Sequence, residues 1–137
     1  MSGTTDERSV LEAFDALDDA FAGRDVTAVL DLFVADDDVV FVGSARAEQA
    51  LGRAELHRAL HDLFGLPEVT GGSFEIDWSE RRVRIAEGVA WVTATGEATW
   101  TSPRRTLRFP YRLTGVLLHR EGRWLWHTHH GSEPGSL

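Results

Sequence analysis

The hydrophobic pattern of this sequence changes its period at Gly71 and Gly72, and that change limits the possible folds more than any other feature. Before this point, apolar residues recur every three or four positions, as in amphipathic helices. After it, they alternate with polar residues, as in β-strands. Helices followed by strands predict an α+β fold, in which three N-terminal helices pack on one face of a curved antiparallel sheet.

The first half of the chain predicts three helices and one short strand. A first helix begins at Thr4 or Thr5 and stops at Gly23, a second covers residues 26–33, and a third covers residues 53–65. A strand is predicted at residues 39–42 and a loop at residues 44–52. On the first helix, four acidic residues are expected on the side opposite the apolar stripe: Glu12, Asp15, Asp18 and Asp19.

The second half predicts an antiparallel meander of long strands. Turns are predicted at residues 87–88, 102–103 and 120–122, and the closing strand follows the last of them. The 137 residues are expected to form one domain, residues 1–137, with loose termini at residues 1–5 and 133–137.

Composition excludes several classes of chemistry. The chain has no cysteine, which removes disulfides, thiolate metal sites and thiol nucleophiles, and all 14 of its basic residues are arginine, which removes Schiff-base lysines. A net charge of −8 argues against nucleic acid as a partner. No apolar run approaches the roughly 20 residues that a membrane helix needs, and the N-terminus does not resemble a signal sequence. We therefore expect a cytoplasmic protein that needs no cofactor and no metal.

The closing strand carries three histidines, His127, His129 and His130. Strict alternation would place His130 on one face, with both tryptophans of the strand, and the other two histidines on the opposite face. At least one imidazole must therefore face a polar cavity, a partner chain or solvent. A β-bulge would shift this alternation, and the sequence leaves open which histidine would then line a pocket.

Several short motifs carry a family resemblance that covers nearly the whole chain. They are Leu32-Phe33, Gly52-Arg53, Arg112-x-Thr114, Gly122-x-Trp124 and His130-x-Ser132-x-Pro134. With the order of elements, they resemble the SnoaL-like branch of the nuclear-transport-factor-two-like superfamily. The closing signature is also similar to the association domain of the calcium/calmodulin-dependent kinase.

The resemblance implies a cone-shaped fold with a pocket between the sheet and the helices, usually in a homodimer. The superfamily includes isomerases, polyketide cyclases, epoxide hydrolases, dehydratases and non-catalytic binding modules, so the fold alone does not choose a reaction. The positions that would carry the carboxylates and the tyrosine of a ketosteroid isomerase lie near Phe41, near Phe14 to Leu17, and at Thr114. None of them matches, so that mechanism is not expected.

Three residues are the catalytic candidates. His130 occupies the position of the family's signature histidine and could act as an acid or a base near neutral pH, or could have only a structural role. Arg112 shares a strand face with Thr114 and apolar residues. It is expected to meet a carboxylate, with Glu97 as the natural partner, to bind an anionic ligand, or to lie on an exposed face. Tyr111 has the opposite parity and is expected to face away from the pocket.

The expected ligand is a small apolar or aromatic molecule. It could carry an anionic group, which Arg112 would bind. The ligand-binding candidates are Trp91, Thr114, Trp126, Thr128, His127, His129, Ser132, Phe41 and Phe14. Three functions stay open at this point. The chain could be a small-molecule-binding isomerase, cyclase or hydrolase that uses acid–base chemistry, a non-catalytic oligomerisation module, or a fold without retained activity.

Overall fold

The structure is a computed structural model that describes residues 3–43, 49–66 and 71–134. Its elements, in chain order, are α1 (Gly3–Ala22), α2 (Val26–Asp31), β1 (Val40–Val42), β2 (Gln49–Leu51), α3 (Arg53–Phe64), β3 (Ser73–Ala86), β4 (Val89–Thr101), β5 (Thr106–Arg120) and β6 (Arg123–Ser132). None of the helices in these ranges is both long and apolar enough to cross a membrane.

All six strands form one sheet, in the order β2-β1-β6-β5-β4-β3. The β3 to β6 strands are the predicted antiparallel meander, and the short β1 joins it in parallel beside β6. The predicted α+β fold, with N-terminal helices packed on one face of the sheet, is therefore confirmed.

Apart from shifts of one or two residues at other ends, two predicted elements differ from the structure. The predicted loop at residues 44–52 contains β2, which pairs with β1, while residues 44–48 lie outside the described ranges. The second helix ends at Asp31 instead of residue 33, because the next residues join the sheet. Leu32 O accepts a hydrogen bond from Trp126 N, and Val34 N donates one to Trp126 O, both at 2.8 Å. This connection fixes the helical layer to the middle of β6.

The core lies between the helices and the inner face of the sheet, which is the face that the helices cover. Trp126 is fully buried at its centre, with its ring 5.8 Å from that of Phe14 on α1. The indole Nε1 of Trp126 donates a long hydrogen bond, 3.4 Å, to Ala13 O. Arg53, at the start of α3, donates to the carbonyl oxygens of Phe33 and Val34 and so ties α3 to the same region.

The β6 strand contains one extra residue, and this bulge decides which side chains face inward. Leu117 pairs with Trp126 and Val116 pairs with Thr128, so His127 has no partner in the ladder. An unpaired residue shifts the alternation of the strand by one position. Trp126 and His129 therefore both face the helices, whereas Thr128 and His130 face the opposite side of the sheet.

Candidate functional site

A cavity of about 600 Å³ opens between the helices and the inner face of the sheet. This volume is within the range of small-molecule sites, about 300–1,000 Å³. The end of α1 is held against the start of β3 because Arg24 Nη1 donates to Gly72 O at 2.8 Å. The described lining residues are Asp15, Asp18, Asp19, Phe21, Ala22, Phe41, Gly43, Leu63, Phe64, Phe74, Glu75, Ile76, Trp100, Phe109, Tyr111, Leu113, His129 and Glu133.

Asp18 is the most strongly perturbed carboxylate of the cavity. It is half-buried on α1, and Trp78 Nε1 on β3 donates a hydrogen bond of 2.8 Å to its Oδ2. Burial raises the pKa of Asp18 to about 6, and the nearby carboxylates of Asp15 and Asp19 also raise it. The Trp78 hydrogen bond and the charge of Arg81 oppose this shift without cancelling it. Asp18 can therefore exchange a proton close to neutral pH.

His129 is the buried polar group of the cavity wall. It is 5% exposed, and its ring stacks on Phe41 with 5.1 Å between centroids. Burial, with a smaller contribution from the charge of His130, lowers the pKa of His129 to about 3, so the imidazole is neutral at ordinary pH. Its Nδ1 is buried and has no hydrogen-bond partner among the described residues. An unsatisfied buried polar atom costs about 1–3 kcal/mol, which a ligand that bonds to Nδ1 would recover.

Tyr111 lines the cavity, and the prediction that it faces away from the pocket is wrong. Its ring meets those of Phe74 and Trp78 edge-on, at 6.1 and 6.2 Å between centroids. Its hydroxyl lies against Gly131 on β6, where a Cβ atom would be only 2.0 Å from the Tyr111 oxygen. Glycine at this position makes room for the tyrosine above the strand.

Most of the predicted site residues lie on the outer face of the sheet, away from the helices. His130 pairs with Thr114, Arg112 pairs with Ser132, and Glu97 lies one strand further on, opposite Pro110. The expectation that they line the cavity is wrong, because strand pairing places them on the other face. This correction covers His130, Arg112, Glu97, Trp91, Thr114, Thr128 and Ser132.

The catalytic role predicted for His130, Arg112 and Glu97 stays a prediction. Their position outside the cavity does not support it. Arg112 is exposed, so the argument that a buried arginine needs a carboxylate or an anionic ligand does not apply to it. The sheet does bring Arg112, Thr114, His130 and Ser132 together as neighbours, but on an open surface.

Of the remaining ligand-binding candidates, Phe41 and His129 line the cavity. Phe14 and Trp126 lie in the core and are absent from the cavity lining. His127 lies at the bulge, where its Nε2 is 3.2 Å from Asp38 Oδ2 and its Nδ1 is 2.7 Å from Thr128 Oγ1. The hydrogen bond with His127 is the main cause that lowers the pKa of Asp38. His127 therefore has structural partners outside the cavity.

The sequence interpretation missed Asp18, which it placed on the solvent side of α1. The signal that could have found it is its spacing from the buried stripe, since Asp18 follows Phe14 by four residues and precedes Phe21 by three. Residues three and four apart share a helix face. Among the described residues, no group of three or more histidine, aspartate or glutamate side chains is arranged to hold a metal ion.

Comparison with known proteins places the chain in a family. The model of the SnoaL-like domain family matches residues 10–136. No curated protein matches the sequence. Many solved structures share its fold, and three of them illustrate the range.

A candidate dehydratase of the nuclear-transport-factor-two-like family from Streptomyces avermitilis has a TM-score of 0.83 at 18% identity, and the match covers 98% of this chain and all of that one. A ketosteroid isomerase-like protein from Erwinia carotovora atroseptica has a TM-score of 0.72 at 22% identity, covering 94% of this chain and 96% of that one.

The third is a candidate calcium/calmodulin-dependent protein kinase II association domain from Xanthomonas campestris. It has a TM-score of 0.74 at 23% identity, and the match covers 95% of this chain and 89% of that one. At these identities the likenesses show the fold, which agrees with the predicted superfamily resemblance. Because the family model matches nearly the whole length, the chain belongs to the SnoaL-like family.

Proposed function

We propose that the protein binds a small, largely apolar carbonyl compound in the cavity and catalyses proton transfer on it without a cofactor. The observation that carries this proposal is a carboxyl group, Asp18, whose pKa is raised to about 6 in a cavity walled mainly by aromatic side chains. Isomerisation, dehydration and cyclisation all need such a proton transfer. The names of the dehydratase-like and isomerase-like relatives describe reactions of this class and support the proposal.

Asp18 acts in this proposal as the general base. A base is most effective when its pKa is close to the working pH, because it is then both deprotonated and strong enough to remove a proton. An ordinary aspartate, with a pKa near 3.9, is a weaker base. Burial makes Asp18 stronger, and the Trp78 hydrogen bond to Oδ2 holds the carboxylate in place while leaving Oδ1 for the substrate.

His129 orients the substrate in this mechanism. Its neutral imidazole, in the tautomer with the proton on Nδ1, donates a hydrogen bond to the substrate's carbonyl oxygen. When Asp18 removes a proton from the adjacent carbon, negative charge develops on that oxygen, and a donor placed there beforehand stabilises it. Protonated Asp18 then returns the proton at a different atom. In this mechanism the substrate is the hydrogen-bond partner of His129 Nδ1, which has none among the described residues.

The proposal can be tested before the natural substrate is identified, with 2-tetralone as the probe. This bicyclic ketone has acidic C–H bonds beside its carbonyl, and their exchange with deuterium from the solvent can be followed by proton NMR. We expect the protein to accelerate exchange saturably. The catalysed rate should rise with pH through about 6 and then level, because Asp18 acts as a base only when it is deprotonated.

A second ligand of the same size provides the control. Tetralin lacks the carbonyl group and has no comparably acidic C–H, so it should compete for the cavity without exchanging its own protons. Exchange no faster than in buffer, with 2-tetralone shown to be bound by fluorescence, would contradict proton-transfer catalysis. A catalysed rate that falls as the pH rises through 6 would contradict the role of Asp18 as the base.

We also propose that the protein forms a homodimer through the outer face of the sheet. Trp91 lies on this face with 45% of its surface exposed, next to Val116 on β5. Large apolar side chains on an open sheet face are typical of interfaces between subunits. This proposal also covers the alternative of a non-catalytic oligomerisation module, which would need the same face and no turnover.

The dimer is tested by light scattering on a Trp91→Arg variant. We expect the wild-type chain to have the mass of a dimer and the variant to have that of a monomer, because an arginine would be buried without a partner. Leu66→Arg is the matched control, since Leu66 is equally exposed, at 44%, and lies outside the sheet. A monomeric wild type would contradict the proposal, and so would a Trp91→Arg variant that remains a dimer.

A further inference from the structure

Within the described ranges, the charged side chains that face the cavity are all of one sign. They are four carboxylates and no arginine, although the chain has 14 arginines. His129 adds no positive charge, because its pKa is about 3. The carboxylates are Asp15, Asp18, Asp19 and Glu133, whereas Glu75, which pairs with Thr99, has its side chain on the outer face of the sheet.

Only one of these carboxylates forms an ion pair within the described ranges. Asp15 pairs with Arg81, whose Nη1 is 2.5 Å from Asp15 Oδ1. The other three form no ion pair there. Of these, Asp19 and Glu133 are exposed and lie at the rim, whereas Asp18 and His129 are more buried. The cavity therefore has an acidic rim and a less polar interior.

Aromatic rings form most of the wall between the rim and the interior. Seven aromatic side chains line the cavity, contributed by α1, α3 and four strands: Phe21, Phe41, Phe64, Phe74, Trp100, Phe109 and Tyr111. The faces of such rings carry negative potential and attract organic cations within about 6 Å. Aromatic ring faces and nearby carboxylates therefore both attract a positive charge.

The buried histidine is independent support for a ligand at this site. His129 lines the cavity, and its buried Nδ1 has no hydrogen-bond partner among the described residues, so a ligand whose hydrogen-bonding group reaches this nitrogen would satisfy it. A molecule that bonds to His129 and fills the aromatic interior extends toward the acidic rim. Whatever group it carries at that end meets Asp19 and Glu133.

We propose that the ligand of this cavity is an organic cation, an aromatic or apolar body with a protonated amine at the end that faces the rim. This inference rests on the proposed small-molecule function and names the class of its ligand. The proposed ligand carries a cationic group instead of the anionic group that Arg112 was expected to bind, because Arg112 lies on the other face of the sheet. An anion in this cavity would be repelled by the unpaired carboxylates, and a neutral molecule would leave them without a counter-charge.

The test compares three aromatic probes of similar size and different charge. They are 2-naphthylmethylamine, which is cationic, 2-naphthylmethanol, which is neutral, and 2-naphthoate, which is anionic. Affinities are measured by calorimetry at neutral pH. We expect the amine to bind about tenfold more tightly than the alcohol and about 100-fold more tightly than the carboxylate at low salt. The advantage should shrink at about 1 M salt, where the Debye length falls to about 3 Å.

A matched pair of double variants separates the rim from the overall charge of the protein. Asp19→Asn/Glu133→Gln removes two rim charges, and we expect the ratio of amine to alcohol affinity to fall to about twofold or less. Glu12→Gln/Glu121→Gln removes two charges from exposed positions outside the cavity lining and should leave the ratio unchanged.

Equal binding of the amine and the alcohol would overturn the cation inference while leaving the proposed small-molecule function intact. Tighter binding of the carboxylate would do the same. Loss of the amine preference in both double variants would assign it to net charge and would also overturn the inference. If none of the three probes bound, the small-molecule function itself would be contradicted, and this inference would fall with it.

Discussion

The Asp18→Asn variant is expected to lose about 10²–10⁴-fold of the catalysed exchange rate while becoming more stable than the wild type at pH 8. The loss of rate follows from removing the general base, whose contribution in enzymes is typically of this size. Asparagine keeps the shape of the side chain and an oxygen that can accept the hydrogen bond from Trp78 Nε1. The variant therefore tests the ionisation of Asp18 separately from its packing.

The gain in stability follows from the direction of the pKa shift. Burial raises the pKa of Asp18 from 3.8 to about 6 in the folded chain, so between these values the folded state binds more protons than the unfolded state. The wild type's free energy of unfolding therefore receives the full contribution of Asp18 protonation below about pH 4, and this contribution is lost as the pH rises through about 6. A shift of about two pKa units corresponds to at most about 3 kcal/mol, and partial exposure reduces this to about 1–2 kcal/mol.

Urea unfolding at pH 4 and pH 8 checks this expectation. The stability difference between Asp18→Asn and the wild type should be larger at pH 8 than at pH 4 by about 1–2 kcal/mol. Asp31→Asn is the control, because Asp31 is exposed at the end of α2 and its substitution should have little effect at either pH. A difference that does not change with pH would mean that Asp18 is not held in its protonated form by the fold. Catalysed exchange that survives in Asp18→Asn would remove Asp18 as the base.

The order of elements could be predicted from the sequence because each helix and strand is encoded by a local period. The stripe of α1, with Val10, Phe14 and Leu17, is buried as its 3.6-residue spacing indicates. The long strands after Gly72 follow the alternation of the second half. The strand β2 could not be predicted in this way, since three residues are too few to establish a period and its stability comes from pairing with β1.

The local sequence pattern could not determine which face of each strand lines the cavity. The candidates on β5 and β6 do lie together in the sheet, since Thr114 pairs with His130 and Arg112 with Ser132. The group was placed on the wrong side because β5 is apolar on both faces near Val116 and Leu117. The choice depends on the bulge at His127, and no glycine or proline marks that bulge in the sequence.

Asp18 shows a second limit, which is the distance between interacting parts of the chain. Its burial and its raised pKa come from the docking of α1 against β3, where Trp78 lies 60 residues away in sequence. A carboxylate beside an apolar helical stripe is usually solvated, and only the contact across the fold shows that this one is not. The same contact is what makes Asp18 suitable as a base.

The Trp126→Ala variant is expected to lose about 3–5 kcal/mol of the free energy of unfolding, the usual cost of removing a buried large aromatic side chain. Trp126 is fully buried and contacts Phe14 on α1 and His129 beside the cavity, with ring centroids 5.8 and 5.4 Å away. A Cβ on Gly115 would lie 2.4 Å from its ring, which shows how closely β5 packs beneath it. Since small domains are stable by only about 5–15 kcal/mol, this loss is large.

Trp126→Phe is the matched control, because it retains one aromatic ring and loses the hydrogen bond from Nε1 to Ala13 O. That bond is long, at 3.4 Å, so most of the loss should come from packing, and the phenylalanine variant should lose less than half as much stability as the alanine variant. Chemical denaturation of the two variants at one pH measures both values. Similar losses in the two variants would assign the effect to the hydrogen bond. A loss below about 1 kcal/mol for Trp126→Ala would contradict the inward position that the His127 bulge gives to Trp126 and, with it, to His129.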